Sequence, residues 1–86
     1  MRRVLFENDA LSEFTGWASE NKKIFDRIVR LIDETRRTPF EGTGKPELLR
    51  FNYKGCWSRR ITDEHRLIYK VADDLITIIS CKYHYQ

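Results

Sequence analysis

The stretch Leu48–Tyr83, LLRFNYKGCWSRRITDEHRLIYKVADDLITIISCKY, decides the fold. Apolar and polar residues alternate with a period of two through Leu48–Tyr53, Cys56–Ile61, His65–Val71 and Leu75–Tyr83, the spacing of strands. The breaks fall at Lys54–Gly55, Thr62–Glu64 and Ala72–Asp74. Connections that short join strands as antiparallel hairpins. In the third run Leu67, Tyr69 and Val71 point to one face while Arg66, Ile68 and Lys70 point to the other, so Arg66 lies opposite an apolar set. The stretch reads as a four-stranded meander.

Upstream the period changes. Thr38–Glu47 holds both prolines and two of the four glycines, the composition of a loop with a locally specified backbone. Before it, Ile24, Ile28, Leu31, Ile32 and Thr35 recur at helical spacing. Asn21 is placed to cap that helix, Arg36 and Arg37 suit its negative end, and Pro39 stops it. A weaker helix with an apolar stripe of Leu11, Phe14, Trp17 and Ala18, capped by Asn8 or Asp9, runs to about Ser19 and is weakened by Gly16. A short strand, Arg2–Phe6, opens the chain. The expected fold class is α+β: a short first strand, two N-terminal helices, then the meander, with the helices packed on one face of a twisted antiparallel sheet and a basic, partly aromatic face left open. All 86 residues are expected to form a single domain, 1–86.

Hydrophobic residues make up 41% of the chain, enough for a core and too much for a disordered tail. The 16 Lys and Arg against 13 Asp and Glu give a formal charge of +3. Residues 1–43 are balanced at eight against eight, so the whole excess lies in residues 44–86, at eight basic against five acidic. This bias suggests a polyanionic partner, although a solvated basic surface would read the same way. No apolar run approaches a membrane span or a signal peptide, which places the protein in the cytoplasm with no membrane association. Cys56 and Cys81 are expected to be reduced core thiols; Cys81 and His84 have a Cys-x-x-His spacing, but Cys56 and His65 do not form the second close ligand pair of a zinc site.

Motifs for nucleotide-phosphate binding, a serine nucleophile or dense metal ligation are missing from the sequence. What remains able to move protons and bind phosphate is Glu47, Arg50, Arg59, Arg60, His65, Arg66, His84 and Tyr85. Metal-free RNA cleavage needs little more. A carboxylate takes the proton from the ribose 2′-hydroxyl, arginines hold the charge that builds on the phosphate, and an imidazole, which changes charge near neutral pH, protonates the departing 5′-oxygen. Each residue also has a plainer reading: Glu47 as a surface ion-pair partner, His65 as a hydrogen-bonded residue at a strand start, Trp57 as a core contact, and His84 and Tyr85 as a frayed end.

Three blocks taken in order, Arg36–Glu47 (RRTPFEGTGKPE), Trp57–Tyr69 (WSRRITDEHRLIY) and Cys81–Tyr85 (CKYHY), closely resemble the YoeB toxins of the RelE-type superfamily of bacterial toxin–antitoxin systems. The resemblance spans essentially the full chain. It implies a microbial-ribonuclease-like fold and a ribosome-dependent messenger-RNA endoribonuclease that cuts in the A site with no metal or cofactor. It also implies inhibition by a YefM-type antitoxin and a homodimer. Carried onto this chain, it implies Glu47 as general base, His84 as general acid, Arg66 as the phosphate-stabilising cation and Tyr85 as a residue shaping the scissile nucleotide. Lys45, Arg50, Arg59 and Arg60 would hold RNA backbone. Three positions depart from the expected pattern: Arg50 for a lysine, Cys56 for a large hydrophobe, and an additional Gln86. A non-catalytic RNA-binding or ribosome-binding module, or a sheet that binds only another polypeptide, are the competing readings.

Overall fold

The computed structural model describes residues 1–83. Strand β1 (Arg3–Phe6) leads into helices α1 (Asn8–Glu20) and α2 (Lys22–Arg37). These are followed by β2 (Glu47–Leu48), β3 (Trp57–Arg60), β4 (Arg66–Val71) and β5 (Leu75–Ser80). The five strands form one sheet in the order β1-β5-β4-β3-β2. Strands β2 to β5 are the expected antiparallel meander, whereas β1 adds to the far side of β5 in parallel, so the sheet is mixed. The helical pair carries the chain from β1 at one edge of the sheet to β2 at the other, and the meander returns to place β5 beside β1.

Helix α2 follows its sequence pattern closely. The Asn21 side chain accepts from the Ile24 amide at 3.2 Å, and Ile28, Leu31, Ile32 and Thr35 are buried. Thr35 satisfies its hydroxyl within the helix by donating to the Leu31 carbonyl. Helix α1 differs in two respects. It starts at Asn8 with Glu7 at the cap position and no side-chain cap bond, and its buried residues are Ala10 and Trp17, with Leu11 and Ala18 left exposed. Phe14 packs between Phe6 and Phe25 at ring separations of 5.0 and 4.8 Å.

The expected strand Leu48–Tyr53 is shorter than its pattern. After Leu48 the chain turns Leu49 inward and enters a 3₁₀ turn at Phe51–Tyr53, with Phe51 at φ +58°. A left-handed residue cannot continue a ladder. The main core lies between the helices and one sheet face, where Ile28, Leu31 and Trp17 meet Leu67, Tyr69, Ile76 and Ile78. A smaller cluster of Leu49, Cys56 and Ile68, flanked by Tyr53 and Ile79, forms separately. Both cysteines are free and buried; burial raises both thiols, Cys81 to about 12 with Glu13 beside it. Among the described residues, no helix is long and apolar enough to cross a membrane.

Candidate active site on the open sheet face

Strand pairing fixes which side chains share a face. Glu47 stands opposite Ser58, Ser58 opposite Ile68, and Arg60 opposite Arg66. Paired residues, and residues two apart on one strand, project to the same side. Glu47, Ser58, Arg60, Arg66, Ile68 and Lys70 therefore share the face away from the helices, while Trp57, Arg59, Leu67 and Tyr69 face them. Ser58 and Ile68 are buried and floor the space between Glu47 and Arg66. Two strand spacings sideways and two residues along place the Glu47 and Arg66 backbones about 12 Å apart. Side chains of their length can approach one phosphodiester from two sides.

Glu47 is exposed at the end of the Thr38–Pro46 loop. Arg66 is half-buried and curled over the β3–β4 turn, where its Nη1 donates to the carbonyls of Thr62 at 2.7 Å, His65 at 3.1 Å and Asp63 at 3.2 Å. These contacts hold one end of the guanidinium. Its Nε and Nη2 are without a partner among the described residues, which leaves an edge for an anion. Lys45, Arg50 and Arg60 are exposed, as a backbone-binding role requires. His84 and Tyr85 lie outside the described residues.

Arg59 does not fit the expectation of an RNA contact. Its side chain is 0% exposed and its guanidinium is consumed internally. Nη1 donates to Glu34 Oε2 at 2.5 Å and to the Thr43 carbonyl at 3.1 Å. Nη2 donates to the carbonyls of Thr38 and Glu41, and Nε to the Tyr69 hydroxyl, which in turn donates to the Pro39 carbonyl at 2.7 Å. Arg59 thus ties three carbonyls of the Thr38–Thr43 loop to the sheet, and Tyr69 ties a fourth. Glu34 completes the set by accepting the Thr43 amide at 2.6 Å and the Thr43 hydroxyl at 2.9 Å. The amide bond from Thr43, with its hydroxyl and Arg59 adding, holds the Glu34 carboxyl below its ordinary range against the opposing effect of burial. Desolvation raises the Tyr69 phenol, with Arg59 pulling the other way.

Gly44 sets the loop's path on β3. Its carbonyl accepts the Arg60 amide at 2.7 Å, its φ is +88°, and a Cβ there would lie 3.1 Å from both Arg59 Cβ and the Arg60 carbonyl oxygen. The loop therefore arrives at Glu47 from a fixed direction. Charge alone hid this role of Arg59; the strand alternation that turned Trp57 and Tyr69 inward was the signal that assigned Arg59 to the same side. Glu34, which the sequence reading did not single out, has no local signal, because its partners lie 9 and 25 residues away. Among the described residues, no group of three His, Cys, Asp or Glu side chains is arranged to hold a metal ion.

An α+β domain with a carboxylate and arginines gathered on an open sheet face is the class of molecule these features define. The family model of the YoeB-like toxin of bacterial type II toxin–antitoxin systems matches residues 6–85. Toxin YoeB of Escherichia coli K12 is 48% identical over 83 residues, covering 96% of this chain and 99% of its own. Two Staphylococcus aureus structures, a heterotetrameric YoeB–YefM toxin–antitoxin complex and a YoeB dimer, superpose with TM-scores of 0.89 at 41% identity. The first covers 99% of both chains and the second 98% of both. This chain belongs to the YoeB family of type II toxins.

Proposed function

We propose that this toxin is a ribosome-dependent messenger-RNA endoribonuclease that needs no metal ion. The observation that carries the reading is the placement of Glu47 and Arg66 on the same open face, across a floor of Ser58 and Ile68. Glu47 accepts the proton of the ribose 2′-hydroxyl, whose oxygen then attacks the adjacent phosphorus. Arg66, with Arg60 beside it, stabilises the negative charge that builds on the non-bridging oxygens. The P–O5′ bond breaks as His84 delivers a proton to the leaving oxygen, and Tyr85 orients the scissile nucleotide. The products are a 2′,3′-cyclic phosphate and a free 5′-hydroxyl. Lys45 and Arg50 hold the flanking backbone.

A non-catalytic RNA-binding module would be better served by a face without a carboxylate, because each phosphate contact gains from positive charge and loses to Glu47. The protein acts in the cytoplasm, where translating ribosomes present the message. Its inhibitor is a YefM-type antitoxin, and free toxin pairs as a homodimer, by analogy with the Staphylococcus aureus assemblies. An apolar cleft between β1 and the helices, lined by Val4, Phe6, Phe14, Val29 and Ile32, offers the antitoxin a seat. Induced expression followed by mapping of message 5′ ends tests the activity. The expected ends lie within translated codons and vanish when initiation is blocked; ends outside reading frames, or none, would refute ribosome-dependent cleavage.

A further inference from the structure

Beyond the end of β5 the chain is held by side chains together with one backbone bond to the start of β4. The Cys81 amide donates to Glu13 Oε1 at 2.8 Å, and the Cys81 carbonyl accepts the Trp17 indole N–H at 2.9 Å. Two residues on, the Tyr83 amide donates to His65 Nδ1 at 2.8 Å, and the Tyr83 carbonyl accepts the Arg66 amide at 3.1 Å. Lys82 reaches Glu20 at 3.4 Å. Tyr83 itself has φ +62°, a conformation unfavourable for a residue with a side chain, so the bonds at its two ends hold it there.

His65 is buried, with its ring 4.8 Å from Trp17 and nearly perpendicular to it, and 5.4 Å from the Tyr83 ring. A phenylalanine would meet those packing needs. What the imidazole adds is the acceptor Nδ1, which requires the neutral ring with its proton on Nε2, the nitrogen that lies 3.7 Å from the exposed Glu64 carboxylate. The same residue's carbonyl accepts Arg66 Nη1 at 3.1 Å. His65 therefore touches both Arg66 and Tyr83: its backbone carbonyl shares the Arg66 guanidinium with those of Thr62 and Asp63, and its ring holds the Tyr83 amide.

We propose that His65 is a positioning residue for RNA cleavage: its neutral imidazole fixes the backbone at Tyr83, the residue that precedes His84, relative to Arg66. The inference rests on the functional reading above. Misplacement of a reacting group by about 1 Å can cost on the order of 100-fold in rate, so a positioning role is measurable without any contact to substrate.

The test compares His65→Phe, which keeps a ring without the acceptor, with His65→Asn, whose amide oxygen can stand near Nδ1. Single-turnover cleavage is measured on programmed ribosomes at varied toxin concentration, together with hydrogen exchange of the Tyr83 amide in the free toxin. For His65→Phe we expect a maximal rate lower by roughly 10- to 100-fold, half-saturation on ribosomes within about twofold of wild type, and faster Tyr83 exchange. His65→Asn should recover both rate and protection. Wild-type cleavage by a folded His65→Phe would overturn the proposal, as would a His65→Asn that protects Tyr83 yet stays slow. Should the phenylalanine variant not fold, nitrogen NMR of the wild-type ring decides: a proton on Nδ1 contradicts the proposal and one on Nε2 supports it. If wild-type toxin cleaves nothing on ribosomes, the functional reading fails, while the Tyr83 exchange and ring tautomer still judge the anchoring.

Discussion

On β3 the side chains of Arg59 and Arg60 leave the sheet in opposite directions, and their chemistry follows from that. Replacing Arg59 with methionine removes the cation from a buried site and strands the carbonyls of Thr38, Glu41 and Thr43. Breaking a buried pair costs about 3–5 kcal/mol, and we expect the lower end because the Glu34 side chain is 34% exposed and can recruit water. Chemical denaturation of Arg59→Met checks this. The depressed Glu34 carboxyl adds a pH signature. Its stabilisation is complete above the ordinary glutamate value of 4.5 and is lost as pH falls through the lower folded value. Thr43→Val, which removes the hydroxyl donor and leaves the amide bond, should therefore shrink the acid loss of stability without abolishing it. At Arg66, loss of the guanidinium should reduce cleavage by orders of magnitude, and Arg66→Lys should recover only part, since a point charge replaces a planar fork. Lys54→Ala, exposed beyond the 3₁₀ turn, should change little in the same single-turnover assay. Equal losses at the two positions would mean that total charge, not a defined phosphate site, governs the reaction.

At the scale of elements, the loop between α2 and β2 is the part whose geometry matters to Glu47. Gly44→Ala would force a side chain into the left-handed region and against Arg59 Cβ and the Arg60 backbone. A cost of about 1–3 kcal/mol is expected, with reduced cleavage even at temperatures where the variant is folded. Thermal melts paired with cleavage assays separate the two effects. The elements themselves were largely legible in the sequence. Asn21, Pro39 and the apolar spacing of α2 act through local chemistry, and the short turns at Thr62–Glu64 and Ala72–Asp74 force the hairpins. Leu48–Tyr53 misled because alternation cannot register the left-handed backbone at Phe51. The parallel pairing of β1 with β5 was not legible either, since it joins residues about 70 positions apart and leaves no mark on either segment's pattern.

Across the whole molecule, the helices and their core serve to present one face of a sheet. The open face was legible from alternation in β4, but the division of arginines into an internal set and a surface set depended on packing that charge counts cannot see. The end of the chain divides the readings sharply. Removing His84–Gln86 leaves every described contact of Cys81 and Tyr83 in place, so the truncated protein should melt within a few degrees of wild type. It should nevertheless be inactive, and removal of Gln86 alone should leave activity intact. A truncated toxin that folds and still cuts at the wild-type rate would remove the general acid from the mechanism.

The central claim is that a carboxylate on the open face takes the 2′-hydroxyl proton. Single-turnover cleavage by Glu47→Ala on programmed ribosomes tests it most directly, with ribosome affinity measured on the same preparation. Because Glu47 is exposed and its side chain lies outside both apolar clusters, the variant should fold and bind as wild type does. The account predicts a cleavage rate lower by about 10²–10⁴-fold at undiminished affinity. Cleavage by Glu47→Ala at the wild-type rate would contradict it.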